Sequence, residues 1–247
     1  MNYNPFNLNN KKILITGASS GIGSVIAIEC SKMGANVIIT GRSEERLLKT
    51  FELLQGDNNE YVVADLSLKE GLDCLVNQIP TLDGVVHCAA ILKKLPLKFI
   101  NEKAWLETME TNLFAPALLS QRLVKKSKVN DGASIVFISS IAASVASFGN
   151  ISYMASKGAI NSLARGMALE LAAKKIRVNY IQPALIRTNL TDKAMSQEDL
   201  DNYVQRFPLG RFGKPEEVAY SAVFLLSDAT QWITGTSITV DGGVTLR

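Results

Sequence analysis

The sequence predicts an α/β fold: a doubly wound, mostly parallel sheet of seven strands with helices on both faces. Three observations predict it. Short apolar, β-branched runs alternate with longer helical patterns along nearly the whole chain. Several of these runs are apolar throughout, as befits strands buried on both faces. A glycine-rich turn, Gly17–Gly23, follows the first run directly and opens a helical pattern.

Residues 1–10 are polar and read as a short N-terminal arm, with residues 11–247 as one domain. The first strand is 12–16, and its helix is expected over 24–34, where Gly34 stops it. A second strand spans 36–40, and Ser43 caps a helix to about residue 55. A third strand covers 61–64, with Asp65 and Leu66 at its exit and Ser67 opening the next helix. Residues 83–88 form the fourth strand, and one long helical region follows over about 102–128. The fifth strand, 133–138, leads into an Ala-rich helix that ends near residue 173, and 176–181 is the sixth strand. Residues 185–209 are irregular, with a short amphipathic stretch near 198–205, and form a lid beside the site. Its Leu185, Ile186, Leu190, Met195 and Phe207 either line a pocket or fasten the lid. Pro215 starts the last helix with acids in its first turn, and 236–240 closes the sheet.

Composition excludes several classes. The net charge of +3 is small, and no aromatic platform accompanies the basic residues, so nucleic acid is not an expected partner. Arg122, Lys125, Lys126 and Lys128 end a helical pattern, where cations complement the dipole. Three widely spaced cysteines, Cys30, Cys74 and Cys88, fit neither a disulfide framework nor a metal site. No secretory signal and no apolar run of membrane-spanning length is present, so a cytoplasmic protein without a membrane partner is expected.

In a doubly wound sheet, ligands bind beyond the carboxyl ends of the strands. Gly17, Gly21 and Gly23, with Ser19, Ser20 and Ile22 between them, sit at such an exit. Lacking side chains, the glycines let the backbone approach a pyrophosphate at the helix N-terminus. The second strand ends Thr40-Gly41-Arg42 without an acidic residue. Arg42 suits a ribose 2′-phosphate, which favours NADP(H) over NAD(H). Tyr153 and Lys157 are four apart and share a helix face. An ammonium beside a phenol is expected to lower its pKa, and Ser140 at the preceding strand end can hold an oxygen against the hydroxyl. That set suits proton transfer at a carbonyl or alcohol beside a hydride carrier.

These residues resemble the short-chain dehydrogenases/reductases from about residue 11 to 243, and most closely the 3-oxoacyl-[acyl-carrier-protein] reductase group. The resemblance rests on Thr16-Gly-Ala-Ser-Ser-Gly-Ile-Gly23, Asn112, Ser140 and Tyr153-x-x-x-Lys157, in the family's order. It extends to Arg211-Phe-Gly-Lys-Pro-Glu-Glu-Val218 and Val240-Asp-Gly-Gly243. It implies a Rossmann fold and a catalytic set of Asn112, Ser140, Tyr153 and Lys157. Tyr153 would exchange the proton, Lys157 would lower its pKa and hold the nicotinamide ribose, Ser140 would orient the substrate oxygen, and Asn112 would hold a water. Asp65 and Leu66 resemble the adenine-contacting pair. Cys88, Ala89, Ala90, Pro183, Ile186 and Thr188 fall among the remaining cofactor contacts.

The family's Asn-Asn-Ala-Gly reads His87-Cys88-Ala89-Ala90 here, and its Pro-Gly reads Pro183-Ala184. Alanine thus replaces two glycines beside the expected nicotinamide. His87 is read as structural. The resemblance implies reduction of a ketone on a 3-oxoacyl thioester-like substrate, with a sugar, polyol or other secondary-alcohol dehydrogenase as alternative. A non-catalytic cofactor sensor on the same fold is the second alternative. A homotetramer is implied, and Lys174 with Arg122–Lys128 suggests an acyl-carrier protein as a partner.

Overall fold

The computed structural model describes residues 4–188 and 197–246. Seven strands form one sheet in the order β3-β2-β1-β4-β5-β6-β7. These are β1 (Lys12–Thr16), β2 (Asn36–Gly41), β3 (Glu60–Val63), β4 (Leu82–His87), β5 (Val129–Ile138), β6 (Arg177–Pro183) and β7 (Ser237–Val240). Every strand pairing is parallel, so all the strand exits lie along one edge. The order reverses between β1 and β4, which makes their exits the switch point where ligands bind.

Helices α1 (Gly21–Lys32), α2 (Glu44–Phe51), α3 (Lys69–Gln78), α4 (Glu102–Met109), α5 (Ala115–Lys125), α6 (Ile151–Leu171), α7 (Gln197–Val204) and α8 (Pro215–Leu226) accompany the sheet. Two cores result. Leu14, Ile38, Val85, Ile135 and Val178 meet α3, α5 and α6 on one face. Ile13, Ile15, Val37, Val86 and Val136 meet α1 and α8 on the other. Strand side chains alternate between faces, and both faces here are covered, so the runs are apolar throughout.

Several boundaries differ from expectation for local reasons. Helix α1 begins at Gly21, inside the glycine turn, which places its first-turn N–H groups in the loop itself. Ser67 caps nothing: its amide and hydroxyl both donate to Asp65 Oδ1, at 3.0 and 2.7 Å, and α3 starts at Lys69. The long helical region is broken by a π turn over Glu110–Phe114. Residues 4–10, expected as an arm, are fastened to the domain. Leu8 is fully buried and donates to the Met33 carbonyl at 2.8 Å, and the Phe6 ring stacks on Phe224 at 6.2 Å.

Within the lid, Leu190 and Met195 lie outside the described residues. Ile186 is buried and forms a β-bridge with Gly213, while Phe207 packs against the rings of Tyr203 and Phe212. Both fasten the segment to the body.

Candidate active site

The site is assembled at the carboxyl ends of β1, β4, β5 and β6. Gly17 leaves β1 with φ +67°, and a Cβ there would stand 2.7 Å from the backbone of Ala89. The β1 and β4 exits are therefore in van der Waals contact, a closeness only glycine permits. Thr16 completes the clasp, its hydroxyl accepting the N–H groups of Cys88 and Ala89 at 3.1 and 3.2 Å. In the sequence Thr16 is simply the last residue of the first strand, with no sign of this role.

Gly21 has φ +59°, and among the described residues a Cβ added there would find only Thr188 Cγ2, at 3.9 Å. Gly23, by contrast, packs directly on the Gly17 carbonyl, which a Cβ would approach to 2.4 Å. Among the described residues the turn is thus dense beneath and open above, at the start of a twelve-residue helix. That cradle fits a pyrophosphate, with Ser20 extended at the cap position and its side chain making no cap bond. Ile22 packs against the α1 core. Ser19 sits beneath Gly41 at the β2 exit, where a Cβ would lie 3.4 Å from it. Arg42 follows, exposed and without an ion pair among the described residues. Asp65 is engaged by Ser67, and Leu66 joins the core.

Ala90 and Ala184 keep negative φ, since the positive-φ residues other than glycine among those described are Asn10, Ser127 and Lys175. Alanine at these two exits therefore brings a methyl but no backbone strain. Ala90 is exposed and Ala184 half-buried. Pro183 ends β6, its carbonyl 3.4 Å from Ser140 Oγ.

Strand β5 and helix α6 bring Ser140, Tyr153 and Lys157 together. Ser140 Oγ donates to the Pro183 carbonyl at 3.4 Å and accepts the Ala142 N–H at 3.1 Å, and it lies close enough to the Tyr153 hydroxyl to oppose the rise of its pKa. Ser139, beside it, turns inward instead, donating to Asn161 Oδ1 at 2.7 Å. Lys157 is buried, donates to the Ile138 carbonyl at 2.7 Å and lies 5.5 Å from the Tyr153 ring centroid. The expectation that Lys157 lowers the Tyr153 pKa is corrected here. Burial pushes the phenol up to about 12, with the Ser140 hydrogen bond pulling the other way and the Cys88 thiol adding to the rise. Burial likewise pulls Lys157 down to about 8, opposed by Cys88. Desolvation dominates both shifts, so the Tyr153 phenol is protonated at neutral pH.

Asn112 sits in the π turn and is buried. Its Oδ1 accepts the Ile91 N–H at 2.8 Å, while Nδ2 donates to the Ile91 carbonyl and to Ser156 Oγ at 2.9 and 3.1 Å. Ser156 in turn donates to the Tyr153 carbonyl at 2.7 Å. The amide thus ties the β4 exit loop to the first turns of α6. His87 is buried in the sheet, stacked on Phe137 at 4.7 Å with Nε2 2.9 Å from Ser120 Oγ. Burial pushes it down to about 3, so it is a neutral packing element.

A parallel sheet with a pyrophosphate cradle at its switch point and a Ser–Tyr–Lys set beside it defines a nicotinamide-dependent oxidoreductase. A family model described as enoyl-(acyl carrier protein) reductase matches residues 17–245, and the chain belongs to the short-chain dehydrogenase/reductase family. The chain is 35% identical to a 3-oxoacyl-[acyl-carrier-protein] reductase of Rickettsia felis over 96% of its own length and 98% of the relative's. An NAD-dependent glycerol dehydrogenase of Listeria innocua is 33% identical over 98% and 96%. The solved gluconate 5-dehydrogenase of Burkholderia cenocepacia, in complex with NADP and tartrate, superposes with TM-score 0.89 at 27% identity over 98% of each chain. The chain is an oxidoreductase acting at a carbon that bears oxygen.

Proposed function

We propose that the protein reduces a ketone to a secondary alcohol with NADPH, on a 3-oxoacyl thioester-like substrate. The observation that carries this reading is Ser140, Tyr153 and Lys157 gathered beside the glycine cradle at one sheet edge. A bound nicotinamide supplies the hydride. Ser140 orients the substrate oxygen, and Tyr153, held protonated by burial, delivers the proton to it. Lys157 keeps a positive charge near the developing alkoxide while pH stays below about 8. The cofactor is held by Gly17, Gly21 and Gly23, with the Cys88–Ala90 and Pro183–Thr188 exits as the opposite wall. Exposed Arg42 takes the 2′-phosphate.

Resemblance to 3-oxoacyl-[acyl-carrier-protein] reductases supports an acidic carrier as partner. Lys174 and Lys175 support it on the surface, being exposed. In the Arg122–Lys128 cluster only Lys125 stands free among the described residues: Arg122 pairs with Asp73, Lys126 with Asn77, and Lys128 with the Ile79 carbonyl, fastening the end of α5 and the turn after it to α3 and its C-terminal end. Exposed Leu106, Phe114 and Leu118 on α4–α5, with the open edge at β7, support assembly as a homotetramer.

Relatives named for glycerol and gluconate favour a second reading, a polyol or sugar-acid dehydrogenase. Steady-state turnover of β-ketoacyl thioesters and of keto-sugars, with each cofactor, separates the two. Tyr153→Phe is expected to cost at least about a hundredfold in kcat with cofactor affinity retained. Unchanged kcat in that variant would remove the enzymatic assignment of Tyr153.

A further inference from the structure

The loops that leave β4 and β5 expose large apolar side chains beside the site. Residues 88–101 carry Lys93, Lys94 and Lys98 and no acidic residue, and residues 139–151 carry no charge at all. Phe148 is 82% exposed, Leu97 71% and Phe99 66%, with Leu92 and Val145 exposed beside them in sequence. The two loops are joined. Leu95 N–H donates to the Gly149 carbonyl at 2.7 Å, and a Cβ on Gly149 would meet Lys94 Cγ at 3.2 Å. The Pro96 carbonyl accepts from Phe99 and Ile100, a turn that presents Leu97, Lys98 and Phe99 outward. Lys98 Nζ lies 5.8 Å from the Phe99 ring centroid. Lys93 pairs with Glu107 of α4, which Lys103 also approaches, and Glu102 opens that helix. Lys94 and Lys98 make no ion pair among the described residues.

We propose that this rim docks on an anionic lipid surface, with Leu97, Phe99 and Phe148 entering the interface and Lys94 and Lys98 at headgroup level. Large apolar side chains at loop tips, interleaved with lysines whose stems lie along apolar surface, are suited to an interface with one wet side. The charge on the two loops is of one sign, which complements anionic headgroups. The expectation of no membrane partner rested on the lengths of apolar runs, and a loop patch leaves no such trace. Among the described residues no helix is long and apolar enough to cross a membrane, and docking of this kind needs none. The rim flanks Ser140 and Tyr153, so docking turns the mouth of the site toward the lipid.

The test is co-sedimentation of the full chain with phosphatidylcholine vesicles, with and without phosphatidylglycerol. Partitioning is expected on the anionic vesicles alone, weakening as salt rises. Leu97→Ser with Phe99→Ser should lower it by about tenfold or more. Lys94→Glu with Lys98→Glu should remove the preference for phosphatidylglycerol. Both pairs should keep the parent Tm and the parent turnover of a short, water-soluble ketone. Equal partitioning without anionic lipid, or unchanged partitioning in the Leu97/Phe99 variant, would overturn the proposal. So would a changed oligomeric mass in light scattering, which would make the rim a contact between copies. A raised KM for the soluble ketone in the same variant would assign the rim to the substrate pocket and overturn it as well.

Discussion

Lys157 is buried with a carbonyl oxygen as its hydrogen-bond partner, and burial holds its pKa near 8 against an ordinary 10.5. The unfolded chain keeps that proton up to about 10.5, so folding is penalised at neutral pH. The penalty shrinks as pH rises from about 8 and is gone above about 10.5. At about 1.4 kcal/mol per pKa unit the cost near pH 7 is about 3 kcal/mol, partly offset by about 1 kcal/mol from the hydrogen bond to Ile138. Lys157→Met should therefore unfold at higher urea than the parent at pH 7, by about 2 kcal/mol, while losing turnover. The gain should vanish when both are compared near pH 10.5. A variant no more stable than the parent at pH 7 would show that the ammonium is not desolvated as its burial implies.

The helical region between β4 and β5 is the element that most shapes the site, through the π turn that carries Asn112. Its amide takes both main-chain groups of Ile91, so Asn112→Ala leaves a half-buried N–H and C=O without partners. A loss of about 2 kcal/mol in local stability is expected, read as exchange of the Ile91 amide faster by about tenfold or more. Ketone turnover should fall with it, whereas exchange at Val85 in the centre of the sheet should not change. Equal acceleration at Val85 would mean general destabilisation rather than release of the loop. This turn was not legible in the sequence, because residues 110–114 carry no pattern that separates a π turn from the α-helix on either side. The strands were legible, since short β-branched runs between turn residues have few other readings. Gly17 and Gly21 were legible as a cradle, though only the structure separates the one that touches Ala89 from the one whose sole described neighbour is Thr188, at 3.9 Å. The direction of the Tyr153 shift was not legible. Spacing shows that Lys157 is near, but desolvation depends on what every neighbouring element buries there.

At the scale of the whole molecule, the proposed cofactor contacts run from Gly17 to Thr188 and exist only when the sheet is formed. The unfolded chain has no such site, so a cofactor should stabilise the fold by mass action. At a hundredfold excess over Kd the gain is about 2.7 kcal/mol. For a chain of this size that corresponds to a rise in Tm of roughly 5–10 °C. Arg42 stands exposed at the β2 exit, which lacks a carboxylate to pair with a free 2′-hydroxyl. NADPH should therefore raise Tm more than NADH at equal concentration. Arg42→Ser should bring the NADPH shift down to that of NADH and leave the NADH shift as it was, because only the 2′-phosphate is addressed by the guanidinium. A larger shift with NADH in the parent chain would assign the protein to NAD and leave Arg42 an ordinary surface residue.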